Sequence, residues 1–163
     1  MTNLKRFFII FIAALLSLTC VSCGVGSLTT QRWYNDDINK TVRTVSTYGK
    51  DGKLTIQYLL INPDRASRVG LSDIENMSET KYYKDLGKYH ADASNAPQDP
   101  KDKYAMRVYS SLADFKSNKN ESLIFYHIDK EGLHMNGNVS LRVDKKLGKE
   151  IDKKIKEHDE KFK

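Results

Sequence analysis

SLIFYHIDKEGLHMNGNVSLRVD, residues 122–144, is the stretch whose reading decides the fold. From Leu133 its odd positions are Leu133, Met135, Gly137, Val139, Leu141 and Val143, and its even positions are His134, Asn136, Asn138, Ser140 and Arg142. Such period-two alternation suits a half-buried β-strand, because successive side chains leave the backbone on opposite faces. A second apolar run, Leu123 to Ile128, precedes it, and Asp129-Lys130-Glu131-Gly132 between them reads as a turn. A loop centred on Lys130-Glu131 sets Ile128 against Leu133, Tyr126 against Met135, Ile124 against Gly137 and, on the other face, His127 against His134.

Further strands follow from similar patterns. Thr41 to Tyr48 is rich in Thr, Val and Tyr, Gly49-Lys50-Asp51-Gly52 is a hairpin turn, and Lys53 to Ile61 alternates again. Asn62-Pro63 ends that run. Tyr104 to Ser110 is a strand with Tyr104, Met106 and Val108 inward, followed by a connection at Leu112 to Asn120 with room for one helical turn. Gln31 to Lys40 fits either a short helix or a segment packed on the sheet, with Trp33 in the core. The spacing of Tyr82, Leu86, Tyr89 and Ala93 predicts a helix within Ser78 to His90, and Ser72-Asp73-Ile74-Glu75 has the form of a capping box. Leu147, Ile151, Ile155 and Phe162 form a narrow apolar stripe on a charged C-terminal helix that would lie on the sheet. The expected fold is therefore α+β, a single antiparallel sheet of about five strands with a central helical segment and a C-terminal helix.

The 163 residues suit one globular domain, and 39% hydrophobic against 29% charged residues can bury a core. Acidic and basic residues interleave, so there is no basic patch of the kind that binds nucleic acid. Both cysteines, Cys20 and Cys23, precede the domain. Neither a disulfide within the domain nor a cysteine-ligated metal is possible from Gly24 onward.

Met1 to Arg6 carries two positive charges, and Phe7 to Leu18 is apolar except for Ser17, the pattern of a secretory signal peptide. Val21-Ser22-Cys23-Gly24 then resembles the lipobox of bacterial lipoprotein precursors, with small residues around the cysteine. Cys20 departs from the Leu-like residue usual three positions before it. The resemblance covers about the first 24 residues. It implies cleavage before Cys23, acylation of that residue and permanent anchoring to a bilayer. An uncleaved membrane anchor and an unlipidated signal peptide are the competing readings of the same segment. The expected organisation is a signal peptide over 1–22, a lipidated Cys23 with its tether over 23–30, and one globular domain over 31–163. Loss of Lys5 and Arg6 with the leader would leave 25 basic against 21 acidic residues, a net charge of +4.

No G-x-S-x-G, H-E-x-x-H, P-loop, Rossmann or EF-hand pattern is present, so nothing points to an enzyme. The one local constellation is His127 facing His134, close enough across a strand pair to share a metal ion. A third ligand would have to come from elsewhere, His90 and Asp92 being the candidates considered. Leu123 and Phe125, apolar on the same outer face, point to a covering helix or a binding partner. The sequence thus leads to an envelope lipoprotein without catalytic activity, anchored through Cys23 in the outer membrane and facing the periplasm. It would carry no cofactor beyond its lipid and would bind an envelope protein as an accessory subunit. A periplasmic inhibitor or immunity protein, and a metal- or small-ligand-binding module using His127 and His134, are the alternatives.

Overall fold

A computed structural model describes residues 28, 30–65, 74, 77–90, 92 and 94–161. Eight antiparallel strands close into an up-and-down barrel: β1 (Arg32–Asp36), β2 (Val42–Tyr48), β3 (Lys53–Leu60), β4 (Met77–Lys88), β5 (Tyr104–Tyr109), β6 (Ser122–Ile128), β7 (Leu133–Met135) and β8 (Asn138–Arg142). Two α-helices accompany it, α1 (Leu112–Ser117) between β5 and β6 and α2 (Lys145–Lys161) after β8. The expected five-stranded α+β sheet is thereby corrected. The signal peptide, Cys23, the residues of the capping box other than Ile74, Ala93 and Phe162 all lie outside the described residues.

Two segments account for the difference. The region expected to hold the central helix is the longest strand, β4. Its inward residues are Glu79, Lys81, Tyr83 and Asp85, paired through Ile56, Leu54, Val108 and Met106 of the neighbouring strands. Charged residues on the inner face hide the alternation that marks a strand, and the Tyr82–Leu86 spacing then mimics a helix. Gly87, with φ 66°, forms a bulge against β5, so it marks a ladder irregularity where a weakened helix was expected. The second segment is the organising stretch itself. The Tyr126–Met135, His127–His134 and Ile128–Leu133 pairings form as expected. The strand then stops, because Asn136 (φ 52°) and Gly137 (φ 74°) turn the chain in the left-handed geometry of a two-residue hairpin. Residues 138–142 fold back as β8, pairing His134 with Val139, and the expected Ile124–Gly137 pairing does not form. Gln31 to Lys40, left open between helix and packed segment, supplies β1, which meets β8 through Trp33–Arg142 and Tyr34–Leu141 and closes the barrel.

Strands β1 to β7 each bury a side chain inside the barrel, whereas β8 buries none. Leu28, Trp33, Tyr48, Leu54, Tyr83, Met106, Tyr126 and Leu133 form one buried cluster, with Tyr104, Val108, Ile124, Ile128 and Met135 packed on it. Three phenols bring their own polar partners. The Tyr126 hydroxyl donates to Asp85 Oδ1 at 2.8 Å, that of Tyr83 to the Gly49 carbonyl at 3.0 Å, and that of Tyr58 to Glu79 at 3.3 Å. Burial, followed by the Asp85 carboxylate, raises the Tyr126 phenol far above its ordinary value, so it remains a donor. This arrangement is the reverse of a membrane-spanning barrel, whose apolar band faces outward. No helix among the described residues is long and apolar enough to cross a membrane.

A second core lies outside the barrel. Asp144 starts α2 by accepting the Leu147 N–H at 2.8 Å. Leu147, Ile151 and Ile155, four residues apart, then fall on one side of the helix and cover Val45, Leu59, Tyr34 and Ile61 on the outer face of β1–β3. Arg32–Asp152 at 2.6 Å and Lys154 Nζ to the Leu60 carbonyl at 2.6 Å fasten the edges. The C-terminal helix laid on the sheet is as expected. Tyr82 and Tyr109 face outward under α1, where Phe115 meets both rings at 5.6 Å.

Candidate metal centre

The site lies at one end of the barrel, on the adjoining ends of β6 and β7 and the two loops beside them. In the β6–β7 turn, Asp129 accepts the backbone N–H groups of Glu131 (2.8 Å) and Gly132 (3.2 Å), while its own N–H donates to the Gly132 carbonyl (3.0 Å). The reversal brings His134 back beside His127 with their rings stacked, centroids 4.2 Å apart and planes 9° from parallel. His134 Nε2 lies 2.9 Å from Asp129 Oδ1. The loop over 89–103 folds across the same outer face, and Asp102 Oδ1 sits 2.6 Å from His127 Nδ1, with both side chains about nine-tenths buried.

These contacts fix the chemistry of the rings. A carboxylate only accepts, so each ring nitrogen facing one carries the proton. His127 donates from Nδ1 to Asp102 and directs its Nε2 lone pair away from that carboxylate. A histidine whose second nitrogen donates to a carboxylate is the usual arrangement of a metal ligand. One donor atom from each of His127, Asp129 and His134 lies within 4.8 Å of the others. A common ion at about 2.1 Å from each would draw them in by about 1 Å, within reach of the exposed Asp129 side chain.

The two histidines therefore stand together as their register required, and the third acidic partner is Asp129, from the turn itself. His90 and Asp92 are not part of the group; Asp92 instead accepts from Ser94 and Asn95 within its own loop. The spacing His127-x-Asp129 with His134 five residues further carried the signal, because the turn that returns the strand also returns its acid. His127 is 8% exposed beneath the loop that carries Asp102. That loop also covers the apolar residues noted on this face. Tyr89 meets Phe125 edge-on at 5.6 Å. Phe125 and Leu123 line a cleft of about 600 Å³ together with Pro97, Pro100, Asp102 and His134. Elsewhere, Asp36 is paired with Arg43 at 2.6 Å, and Asp37 binds the backbone of its own turn, so neither acid resembles a catalytic carboxylate.

The Glu131 N–H, and after it His134, hold the Asp129 carboxyl down to about 2 from an ordinary value of 3.8. A depressed carboxyl contributes stability that is fully present above its unfolded value and is lost as pH falls through the folded one. The turn should therefore keep its Asp129 contacts through pH 4 and release them toward pH 2. Asp129 carboxyl chemical shifts and Gly132 amide exchange followed over that range should titrate together. A midpoint near 3.8 would show that the carboxylate is not held by the turn.

Comparison of the chain with family models, curated proteins and solved structures finds no match.

Proposed function

We propose that this chain is a lipid-anchored envelope protein that binds a divalent transition-metal ion through His127, Asp129 and His134. The observation that carries the reading is the pair of stacked imidazoles, each hydrogen-bonded to its own carboxylate. Imidazole and carboxylate donors in this proportion suit Zn²⁺, and also Ni²⁺ or Cu²⁺. The ion takes the place of the proton shared by His134 Nε2 and Asp129 Oδ1, while Asp102 continues to orient His127. Three protein ligands leave at least one position open. Binding is the role proposed for the site. The anchor is supported by Val21-Ser22-Cys23-Gly24 behind an apolar leader and by the lack of any later cysteine.

Titration calorimetry of Zn²⁺ into the purified protein tests the site. One ion should bind per chain with release of protons into the buffer, and the heat should scale with buffer ionisation enthalpy. His134→Ala, at a partly exposed position, should keep the fold and weaken binding at least about tenfold, as expected for the loss of one ligand. Absence of binding by the folded wild-type protein, or equal binding by His134→Ala, would remove the metal reading. Intact mass of the membrane-extracted protein tests the anchor separately. Cys23→Ala should lose the acyl mass and the protein should leave the membrane fraction.

The cleft beside the site favours one further reading, an envelope partner that inserts an apolar side chain against Leu123 and Phe125.

A further inference from the structure

We propose that the barrel stands on the bilayer with the metal centre at its lipid-facing rim, the partner surface being a phospholipid headgroup layer. This inference rests on the lipid anchor at Cys23 and adds to it an orientation that the anchor alone does not require.

The argument begins at Leu28, which is fully buried in the interior cluster. Thr30 N–H donates to the Tyr48 carbonyl at 2.7 Å and Tyr48 N–H to the Gln31 carbonyl at 3.0 Å, so the entering chain is fastened to the end of β2. Cys23 precedes Leu28 by five positions, with four residues between them. Fully extended, those five steps span at most about 18 Å. An acylated Cys23 lies at the membrane interface, so the barrel end that receives Leu28 stays within that distance of it.

Topology decides what else lies at that end. With eight strands alternating in direction, the start of β1, the end of β8 and the β2–β3, β4–β5 and β6–β7 connections share one rim. The last two connections supply Asp102 and Asp129, and the ends of β6 and β7 beside them carry the two histidines. The β1–β2 turn with Ile38, residues 61–65 after β3 and Asn136-Gly137 share the opposite rim, where Arg65 contacts the Asn39 carbonyl at 3.2 Å. A seven-residue strand tilted as in an eight-stranded barrel rises about 18 Å along the axis. A tether of that same length cannot run the height of the barrel and also around its girth. The far rim therefore cannot replace the near one at the membrane. Exposed side chains on the near rim are polar and of both signs, among them Lys50, Asp51, Lys130, Glu131 and Lys145. Such a rim suits headgroups and not the acyl layer.

The test uses the full lipidated chain in phosphatidylcholine vesicles carrying a headgroup nitroxide. After leader removal and acylation of Cys23, one introduced cysteine is the sole thiol, and it takes a fluorophore. Lys50→Cys and Lys130→Cys mark the near rim; Ile38→Cys and Asp64→Cys mark the far rim. Near-rim labels should be quenched severalfold more strongly than far-rim labels. Equal or reversed quenching in protein that carries the acyl mass would overturn the orientation while leaving the anchor standing. Protein that lacks the acyl mass and does not partition to the vesicles would overturn the anchor, and the orientation with it.

Discussion

Tyr126→Ala should destabilise the domain by about 3–5 kcal/mol, the cost typical of emptying a fully buried aromatic site. Tyr126 is completely buried, stacks on Tyr104 with centroids 5.6 Å apart, and ties β6 to β4 through Asp85. It also precedes His127, so its loss loosens the strand that carries the candidate site. Tyr126→Phe separates packing from polarity. It keeps the ring and deletes the hydroxyl, and Asp85 Oδ1 retains the Gly87 N–H at 2.9 Å. About 1–2 kcal/mol is expected for that change, the value of one hydrogen bond with its acceptor only partly orphaned. Urea unfolding monitored by circular dichroism measures both. Since domains of this size are stable by about 5–15 kcal/mol, the alanine variant should melt far below the phenylalanine one. Similar midpoints for the two would place the energy in the hydroxyl and contradict the packing account.

How far the sequence leads depends on whether one face of a segment is uniformly apolar. Lys53 to Leu60, Tyr104 to Tyr109 and Ser122 to Ile128 meet that condition and were legible as strands, with their inward residues. Residues 77–88 do not, because Glu79, Lys81 and Asp85 occupy the inner face beside Tyr83. A barrel interior tolerates them: Tyr58 and Tyr126 supply donors to Glu79 and Asp85, and Lys81 Nζ lies 3.3 Å from Glu79. Those donors come from β3 and β6, distant in sequence, so the local pattern could not announce them. Closure was hidden for a related reason. The Leu133–Val143 alternation runs on in the sequence through Asn136-Gly137, but a two-residue turn pairs residues three apart and shifts the phase, so that Val139 and Leu141, expected on the face of Leu133 and Met135, lie on the outer face with His134. Only the turn chemistry of Asn-Gly distinguishes one long strand from two short ones, and it outweighs the periodicity here.

The His127–Asp129–His134 group was legible to the extent that it is local. The His127–His134 pairing follows from the length of the Asp129–Gly132 turn, which is encoded within eight residues. Asp129 could have been added on the same grounds. Asp102 could not, being brought by a loop of about fifteen residues whose path over the outer face depends on Tyr89–Phe125 and on two prolines. That loop converts a partly exposed histidine into a buried, oriented one. The difference matters chemically, because a ring with its Nδ1–H committed to a carboxylate has one nitrogen left to offer.

Gly52→Ala should destabilise the domain by about 2–4 kcal/mol, from the sum of a left-handed backbone penalty and an overpacked contact. Gly52 has φ 77°, and a Cβ there would come within 2.7 Å of Phe115 Cζ and 2.9 Å of the Tyr83 carbonyl. Its own carbonyl receives the Tyr83 N–H at 2.7 Å, so the turn cannot swing away without breaking the β3–β4 ladder at its end. Relief by moving Phe115 would shift α1 off Tyr82 and Tyr109. Gly137→Ala provides the control. Its φ of 74° is nearly the same, but a Cβ there would meet nothing within 4 Å. Only the backbone penalty of about 1 kcal/mol applies to it. Comparing the two variants by thermal unfolding therefore isolates the contact from the dihedral. A larger loss for Gly52→Ala, accompanied by a changed aromatic circular dichroism signal, is expected if α1 is seated on the hairpin through Phe115. Equal losses would mean that this helix does not pack on the β2–β3 turn in solution.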